Sequence, residues 1–180
     1  LDKESSPLEV FVLFSEVEIE EVKSIGVHID RLSELLVRVV EDGASIGFLP
    51  PMQLSEAKKY WETVIKPDVI LFVAKINNEI AGSVQLHLCT QQNGRHRGEI
   101  GKLMTHPDFR RNGIGRSLMQ KAEETAKQEG RSLLVLDTRE GDPSNHLYTS
   151  IDYVESGRIP NYARSANGEL HTTVFYYKSL

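Results

Sequence analysis

The chain is poor in cysteine, in long apolar runs and in surplus positive charge, and each shortage removes a class of function. A single cysteine, Cys89, in 180 residues excludes an intrachain disulfide and a cysteine-built zinc site and fits a reducing compartment, so the cytoplasm is the expected location. The longest apolar stretch, around Val69 to Ala74, falls far short of the roughly 20 residues that span a bilayer. No membrane association is expected. The opening Leu1-Asp2-Lys3-Glu4-Ser5-Ser6-Pro7 has neither the basic start nor the apolar stretch of a secretory leader. With 26 acidic against 21 basic side chains the formal charge is −5, which gives no general attraction to nucleic acid and suits a cationic small substrate better. The six histidines form no H-E-x-x-H pattern, and no metal is expected. His106 and His146 read as surface residues and His171 as structural. Ser132, Ser144 and Ser150 lack the G-x-S-x-G elbow of a serine hydrolase.

What is present is ordinary globular composition, 39% hydrophobic and 26% charged, in a length that suits one domain over residues 1–180. Val10 to Phe14 reads as a short strand. His28 to Asp42 reads as a helix with Leu32, Leu35, Leu36, Val39 and Val40 on one face and Gly43 as its stop. Ser55 caps a second helix through Ile65. Val69 to Ile76 and Ile80 to Cys89 form a hairpin around Asn77-Asn78. A strand at Glu99 to Thr105 precedes a helix that ends near Gly130, and Leu133 to Thr138, apolar enough to be central, lies parallel to that earlier strand. Asp142 as cap and Pro143 at the first helical position start a short helix through Tyr148. Strands at Tyr153 to Ile159 and Thr172 to Lys178 follow. Trp61, Tyr60 and Phe72 read as core. This order implies a mixed α/β (α+β) sheet with helices on both faces.

The richest segment is Arg110-Arg111-Asn112-Gly113-Ile114-Gly115-Arg116. From Ile114 the apolar period becomes helical, through Leu118, Ala122 and Ala126. Backbone amides at a helix start lack intrahelical partners and bind phosphate oxygens, and glycine lets a ligand approach the main chain. A Rossmann fingerprint is poorly matched, because Leu118 stands where the third glycine belongs, and a Walker A loop is missing. Arg95, Arg97, Arg110, Arg111 and Arg116 are bunched in sequence around this turn.

The pattern (Arg/Gln)-x-x-Gly-x-Gly/Ala, carried by Arg110, Gly113 and Gly115, resembles the pyrophosphate-binding motif of the GCN5-related N-acetyltransferases. The segments Gly43-Ala44-Ser45-Ile46-Gly47-Phe48, Glu99-Ile100-Gly101-Lys102-Leu103-Met104, Leu136-Asp137-Thr138 and Gly168-Glu169-Leu170-His171 look like those of its tabtoxin-resistance group. The resemblance implies a mostly antiparallel sheet of about seven strands with one parallel pair at an acetyl-CoA site. It further implies that the backbone of Leu103, Met104 and Thr105, exposed by a bulge with which Gly101 is compatible, holds pantetheine and the acetyl carbonyl. By the same resemblance, Arg110, Arg111, Asn112, Gly113, Ile114, Gly115 and Arg116 are expected to hold the diphosphate.

Acyl transfer from sulfur to an amine needs a neutral amine, a stabilised oxyanion and a proton for the thiolate. Tyr148 resembles the family's general acid, although Asp152 replaces the glycine that usually follows and Gly141 stands where a family asparagine is expected. Glu99 is the first candidate for the amine's base and Asp137 the second. With Glu140 and Asp142 they form an acidic mouth that attracts ammonium groups. The expected activity is acetyl transfer from acetyl-CoA to a small-molecule amine, amino-acid-like or polyamine-like. The alternative is a non-catalytic acyl-CoA-binding sensor, and a homodimer is kept open.

Overall fold

The computed structural model describes residues 16–180. The strand expected at Val10 to Phe14 lies outside the described residues. In chain order the elements are β1 (Glu18–Val22), α1 (Ile29–Glu41), α2 (Leu54–Glu62), β2 (Val69–Ile76), β3 (Glu79–Leu88), β4 (Arg97–Thr105), α3 (Ile114–Gln128), β5 (Leu133–Arg139), α4 (Ser144–Ser150), β6 (Val154–Arg164) and β7 (Leu170–Ser179). The seven strands make one sheet in the order β1-β2-β3-β4-β5-β7-β6. Every neighbouring pair is antiparallel except β4 with β5.

Alternation along β2 shows how the sheet divides its core. Leu71 and Val73 face α1 and α2, where they join Leu32, Leu36, Val39, Trp61 and Met104. Phe72 and Ala74 face α3 and α4, with Leu118, Ala122, Leu134, Leu136 and Tyr176. Successive strand side chains point to opposite faces, so a continuous apolar run is what a strand buried on both sides requires. Asn77 and Asn78 adopt φ of 50° and 65°, the pair of left-handed residues that lets a two-residue turn follow the twist of its strands.

Helix ends follow local chemistry. Gly43, at φ 90°, stops α1, its N–H donating to the Val40 carbonyl at 3.0 Å while that of Ala44 reaches Val39 at 3.0 Å. The cap of α2 is Gln53 rather than Ser55, because the Gln53 N–H donates to the Glu56 carboxylate at 2.9 Å. Strand β1 was not expected from the sequence: Glu18-Ile19-Glu20-Glu21-Val22 is too acidic to read as a strand alone, and it forms by pairing with β2. Among the described residues no helix is long and apolar enough to cross a membrane.

Trp61 is fully buried, and its indole N–H donates to the Leu32 carbonyl at 2.9 Å, tying α2 to α1. Trp61→Phe keeps the aromatic filling and removes that bond and part of the volume, so a loss of about 1–3 kcal/mol is expected. Urea unfolding followed by circular dichroism measures it.

Candidate active site

Parallel pairing between β4 and β5 covers only Arg97, Glu99 and Gly98 against Leu133, Val135 and Leu134. Beyond these pairs β4 continues to Thr105 and β5 to Arg139, so the two strands part and leave facing backbone edges without ladder partners. A β-bulge sits on β4 at the opening. Gln85 of β3 pairs with Gly101 and Ser83 with Met104, which places one extra residue on β4. Lys102 lies there in the left-handed region, φ 52°. The bulge therefore centres on Lys102 and Leu103, just past the glycine that was compatible with it. It brings Leu103, Met104 and Thr105 to the wide part of the opening.

The turn after β4 ends at the start of α3. Ser117 makes the first intrahelical bond, its N–H donating to Gly113 O at 3.0 Å, which leaves the N–H groups of Ile114, Gly115 and Arg116 without intrahelical acceptors. Arg111 (φ 67°) and Gly113 (φ 72°) are both left-handed, and the Asn112 amide fastens the turn to the carbonyls of Phe109 at 2.9 Å and Arg110 at 3.2 Å. A Cβ on Gly113 would meet nothing within 4 Å, whereas one on Gly115 would stand 3.1 Å from Leu147. Gly113 thus faces open space, and Gly115 lets α4 pack on α3.

The arginine cluster is smaller than its sequence implied. Arg97 opens β4 and Arg95 lies just before it, about 25 Å from the turn at ~3.3 Å per residue. Arg110 is paired with Asp42 at the end of α1, and Arg116 donates to Ser150 at 2.8 Å. His106, expected at the surface, is half-buried and accepts the Asp108 N–H at 3.2 Å, capping the short turn at Pro107–Phe109.

Tyr148 sits in α4 with 5% of its surface exposed, its ring 5.9 Å from that of Tyr153 and 5.8 Å from Tyr176. Burial first, then the charges of Asp137 and Asp142, hold its phenol well above the ordinary tyrosine range. It is protonated at neutral pH. Helix α4 begins at Ser144, and Asp142 does not cap it. The Asp142 carboxylate instead receives the Arg139 guanidinium at 2.9 Å. Asn145 is structural: its amide donates to Arg139 O and Asp142 O, both at 2.9 Å, and it accepts the Tyr176 hydroxyl at 2.8 Å.

On the α1–α2 side of the sheet the opening has a polar floor. Register places His87, Glu99, Val135 and Tyr177 in one row, and the next row, toward the opening, has Gln85 and Gly101 on one flank and Asp137 with Phe175 on the other. Burial pushes the Asp137 carboxyl up, opposed by the charge of Lys102, and burial likewise pushes the Lys102 ammonium down, opposed by Asp137 and Glu99. The acidic mouth is narrower than expected. Asp142 is neutralised by Arg139 and Glu140 by Arg158, which leaves Glu99 and Asp137 around Lys102. Lys102 also reaches the α1–α2 loop, donating to Ile46 O at 2.6 Å with its ammonium 5.4 Å from the Phe48 ring.

Lys102→Met keeps the stem and removes the charge and the bond. Two results are expected: faster amide hydrogen exchange across residues 44–48, and an Asp137 carboxyl titrating higher still by nuclear magnetic resonance, since the Lys102 charge that opposes the effect of its burial is gone.

Sequence reasoning missed Lys102 because the bulge breaks the strand's parity. It also missed Gln85 and His87, although Ser83-Val84-Gln85-Leu86-His87-Leu88 alternates polar and apolar side chains, the signal of a strand with one polar face. Tyr60, assigned to the core, is half-buried and accepts the Gln85 amide at 2.8 Å. At the far end of the floor Arg139 joins three segments, donating to Ser165 at 3.0 Å and to Gly43 O at 3.1 Å besides Asp142. Beside it lies a cavity of about 240 Å³, between the loop at residues 43–50 and the β6–β7 turn. Among the described residues no cluster of three or more His, Cys, Asp or Glu side chains could hold a metal.

Solved structures share this architecture. An acetyltransferase of the GNAT family from Streptococcus pneumoniae superposes with a TM-score of 0.77 at 21% identity, covering 92% of this chain and all of that one. The yncA protein of Salmonella typhimurium, solved with its cofactor acetyl-CoA, gives 0.74 at 16% identity over 90% of this chain and 94% of its own. Among curated sequences, an uncharacterized N-acetyltransferase from the hisH-hisA intergenic region of Azospirillum brasilense is 33% identical over 104 residues, which is 56% of this chain and 62% of that protein's length. The model of the acetyltransferase (GNAT) family matches residues 29–153, more than half of the chain and including the parted strands, the bulge and the helix start. The chain belongs to the GNAT family.

Proposed function

We propose that the chain, acting as one domain, moves an acetyl group from acetyl-CoA to the amine of a small molecule. The observation that carries this is the coincidence of two features: β4 and β5 part to expose free backbone, and the turn after β4 ends in unpartnered amides at a left-handed glycine. A diphosphate fits the second feature and an extended pantetheine arm the first. Acetyl-CoA, when bound, supplies an activated thioester. The amides of Gly113, Ile114, Gly115 and Arg116, with the Arg111 side chain and the Asn112-braced turn, hold the diphosphate, and Arg110 joins them by giving up its exposed ion pair with Asp42. The main chain of Leu103, Met104 and Thr105 holds the arm and offers an N–H to the negative charge that develops on the carbonyl oxygen.

Tyr148 gives the departing sulfur its proton. Glu99 and Asp137 draw in the ammonium form of the acceptor, and Glu99 lies where the amine must lose a proton. A cavity of about 240 Å³ beside Arg139 is small for a binding site, which favours a compact acceptor. The Arg139 bridge across its two walls opposes entry of a polypeptide. An amino-acid-like acceptor, such as an antimetabolite of the kind handled by the tabtoxin-resistance group, fits both.

The test is thiol release. Acetyl-CoA with a panel of amino acids and polyamines is expected to liberate free coenzyme A with at least one amine. Tight acetyl-CoA binding without release across the panel is the behaviour of a sensor and would defeat the transferase reading.

A further inference from the structure

The cavity beside Arg139 carries positive charge that the reaction scheme above leaves unused. Of the residues lining it only Arg139 and Arg164 are charged, and no carboxylate is among them. The Arg164 guanidinium donates to a neutral acceptor, Gly168 O at 2.6 Å, so its charge is not cancelled there. Arg139 is paired along one edge only. Its Nε and Nη2 stand 2.9 Å and 2.8 Å from the same oxygen of Asp142, and Nη2 also donates to Gly43 O at 3.1 Å. At the other end of the guanidinium Nη1 donates to Ser165 Oγ at 3.0 Å. Two of the five N–H groups of an arginine are on Nη1, and the second finds no acceptor among the described residues. Ser165, buried and 2.7 Å from His171 Nδ1 through its Oγ, lines the cavity and holds Nη1 at its wall.

This cationic end adjoins the acidic floor. Asp137 and Arg139 are two residues apart on β5 and so share a face. The loop wall of the cavity includes Gly47 and Phe48, and both meet Lys102, whose charge acts on Asp137: a Cβ on Gly47 would stand 2.9 Å from Lys102 Nζ, and the Phe48 ring is 5.4 Å from it. We propose that the cavity is a carboxylate subsite and that the acceptor is a zwitterion, acetylated on an amine one or two carbons from its carboxylate. Asp137 and Glu99 draw the ammonium, while Nη1 of Arg139, with Arg164, takes the carboxylate. This rests on the acyl-transfer reading and narrows it, since a polyamine has no group for the cationic end.

Spacing and charge both suit such a ligand. Residues two apart on one face of a strand are rooted about 6.6 Å from each other at ~3.3 Å per residue, and an α- or β-amino acid spans that distance with a hydrogen bond of roughly 2.9 Å at each end. Asp142 occupies the opposite edge of the Arg139 guanidinium, so an incoming carboxylate meets Nη1 without displacing that pair. The Glu169 carboxylate, on the β6–β7 turn, accepts from the Asn167 amide at 2.9 Å and does not line the cavity.

Matched acceptors test the proposal with the full chain and acetyl-CoA: free α- and β-amino acids, the amides of the same amino acids, and the polyamines putrescine and spermidine. Thiol release gives kcat/KM for each. An amino-acid amide has the less basic amine, so more of it is neutral at neutral pH and chemistry alone favours the amide over the acid. The subsite reverses that order. The free acid is expected to be used about 30-fold better than its amide, the factor for one charge-assisted hydrogen bond, with the difference in KM. Arg139→Gln is expected to bring that ratio close to one. Because Arg139 also ties Gly43 to Asp142, Arg164→Gln is the second variant: it leaves those ties in place and should lower the ratio several-fold. A ratio unchanged in both variants, or a wild type that prefers amides or polyamines to free amino acids, overturns the subsite and leaves acyl transfer standing. Equal loss of acid and amide turnover in Arg139→Gln is the mark of a brace and overturns the role given to Arg139. A wild type that releases no coenzyme A with any of these acceptors defeats the transferase reading itself.

Discussion

Replacing Tyr148 by phenylalanine is expected to lower kcat about 10³-fold, inside the range of 10²–10⁴ for a positioned proton donor, and to leave acetyl-CoA affinity nearly unchanged. The substitution keeps the ring that packs between Tyr153 and Tyr176 and removes only the hydroxyl. A phenol whose acidity burial has weakened is an unpromising acid against a thiol in water. The comparison changes inside the protein, because the low-polarity surroundings that penalise phenolate also penalise the departing thiolate and raise its hunger for a proton. The two shifts act in opposite senses on the transfer, so burial of the phenol is compatible with the proposed donor role. Stopped-flow measurement of thiol appearance, with calorimetry for binding, separates the two effects: equal turnover in wild type and variant would remove Tyr148 from the mechanism.

Gly113→Asp is expected to weaken acetyl-CoA binding 10²- to 10³-fold. Two causes act, and they can be separated. The left-handed φ of 72° strains any side chain with a Cβ, although aspartate and asparagine tolerate it better than most. The second cause is charge. A carboxylate roughly 5 Å from a diphosphate repels it by about 3 kcal/mol per unit charge at an effective dielectric of 20, which alone accounts for about a hundredfold. Gly113→Asn has the same shape without the charge and should lose about tenfold or less. Equal weakening in both variants would mean that strain dominates, and full affinity in Gly113→Asp would mean that the diphosphate binds elsewhere.

The parts of this fold that could be read from sequence are those set by neighbours in sequence. The stripe of Leu32, Leu35, Leu36, Val39 and Val40 with Gly43 as its stop, the Asn77-Asn78 reversal and the Gly113 helix start each depend on a few adjacent residues. The parts that could not be read depend on partners far along the chain. Glu140 looked like part of an acidic mouth until Arg158 of β6 paired with it, and β1 is a strand because β2 offers it an edge. Arg97 looked near the phosphate turn because it is close in sequence, yet a strand carries its two ends apart. Lys102 was hidden for a different reason: the bulge beside it shifts the side-chain alternation by one, so period alone puts it on the wrong face.

Arg139 had no sequence signal at all. Its importance lies in joining Gly43, Asp142 and Ser165, three segments that only the fold brings together. On the proposed reading the site divides into a cofactor half, made of backbone at a turn and a strand edge and legible as a motif, and an acceptor half, made of side chains from β3, β4, β5 and two loops. Backbone recognition demands few particular side chains, which is why one short pattern announces it. The proposed acceptor half depends on side chains that only the fold brings together, and had to be read from its geometry.

The most direct measurement is a crystal structure of the protein with acetyl-CoA. The account predicts a diphosphate on the amides of Gly113 through Arg116 and a pantetheine arm running along Leu103 to Thr105 toward Tyr148, between the parted ends of β4 and β5. A diphosphate bound at any other place, or a protein that takes up no acetyl-CoA at millimolar concentration, would contradict it.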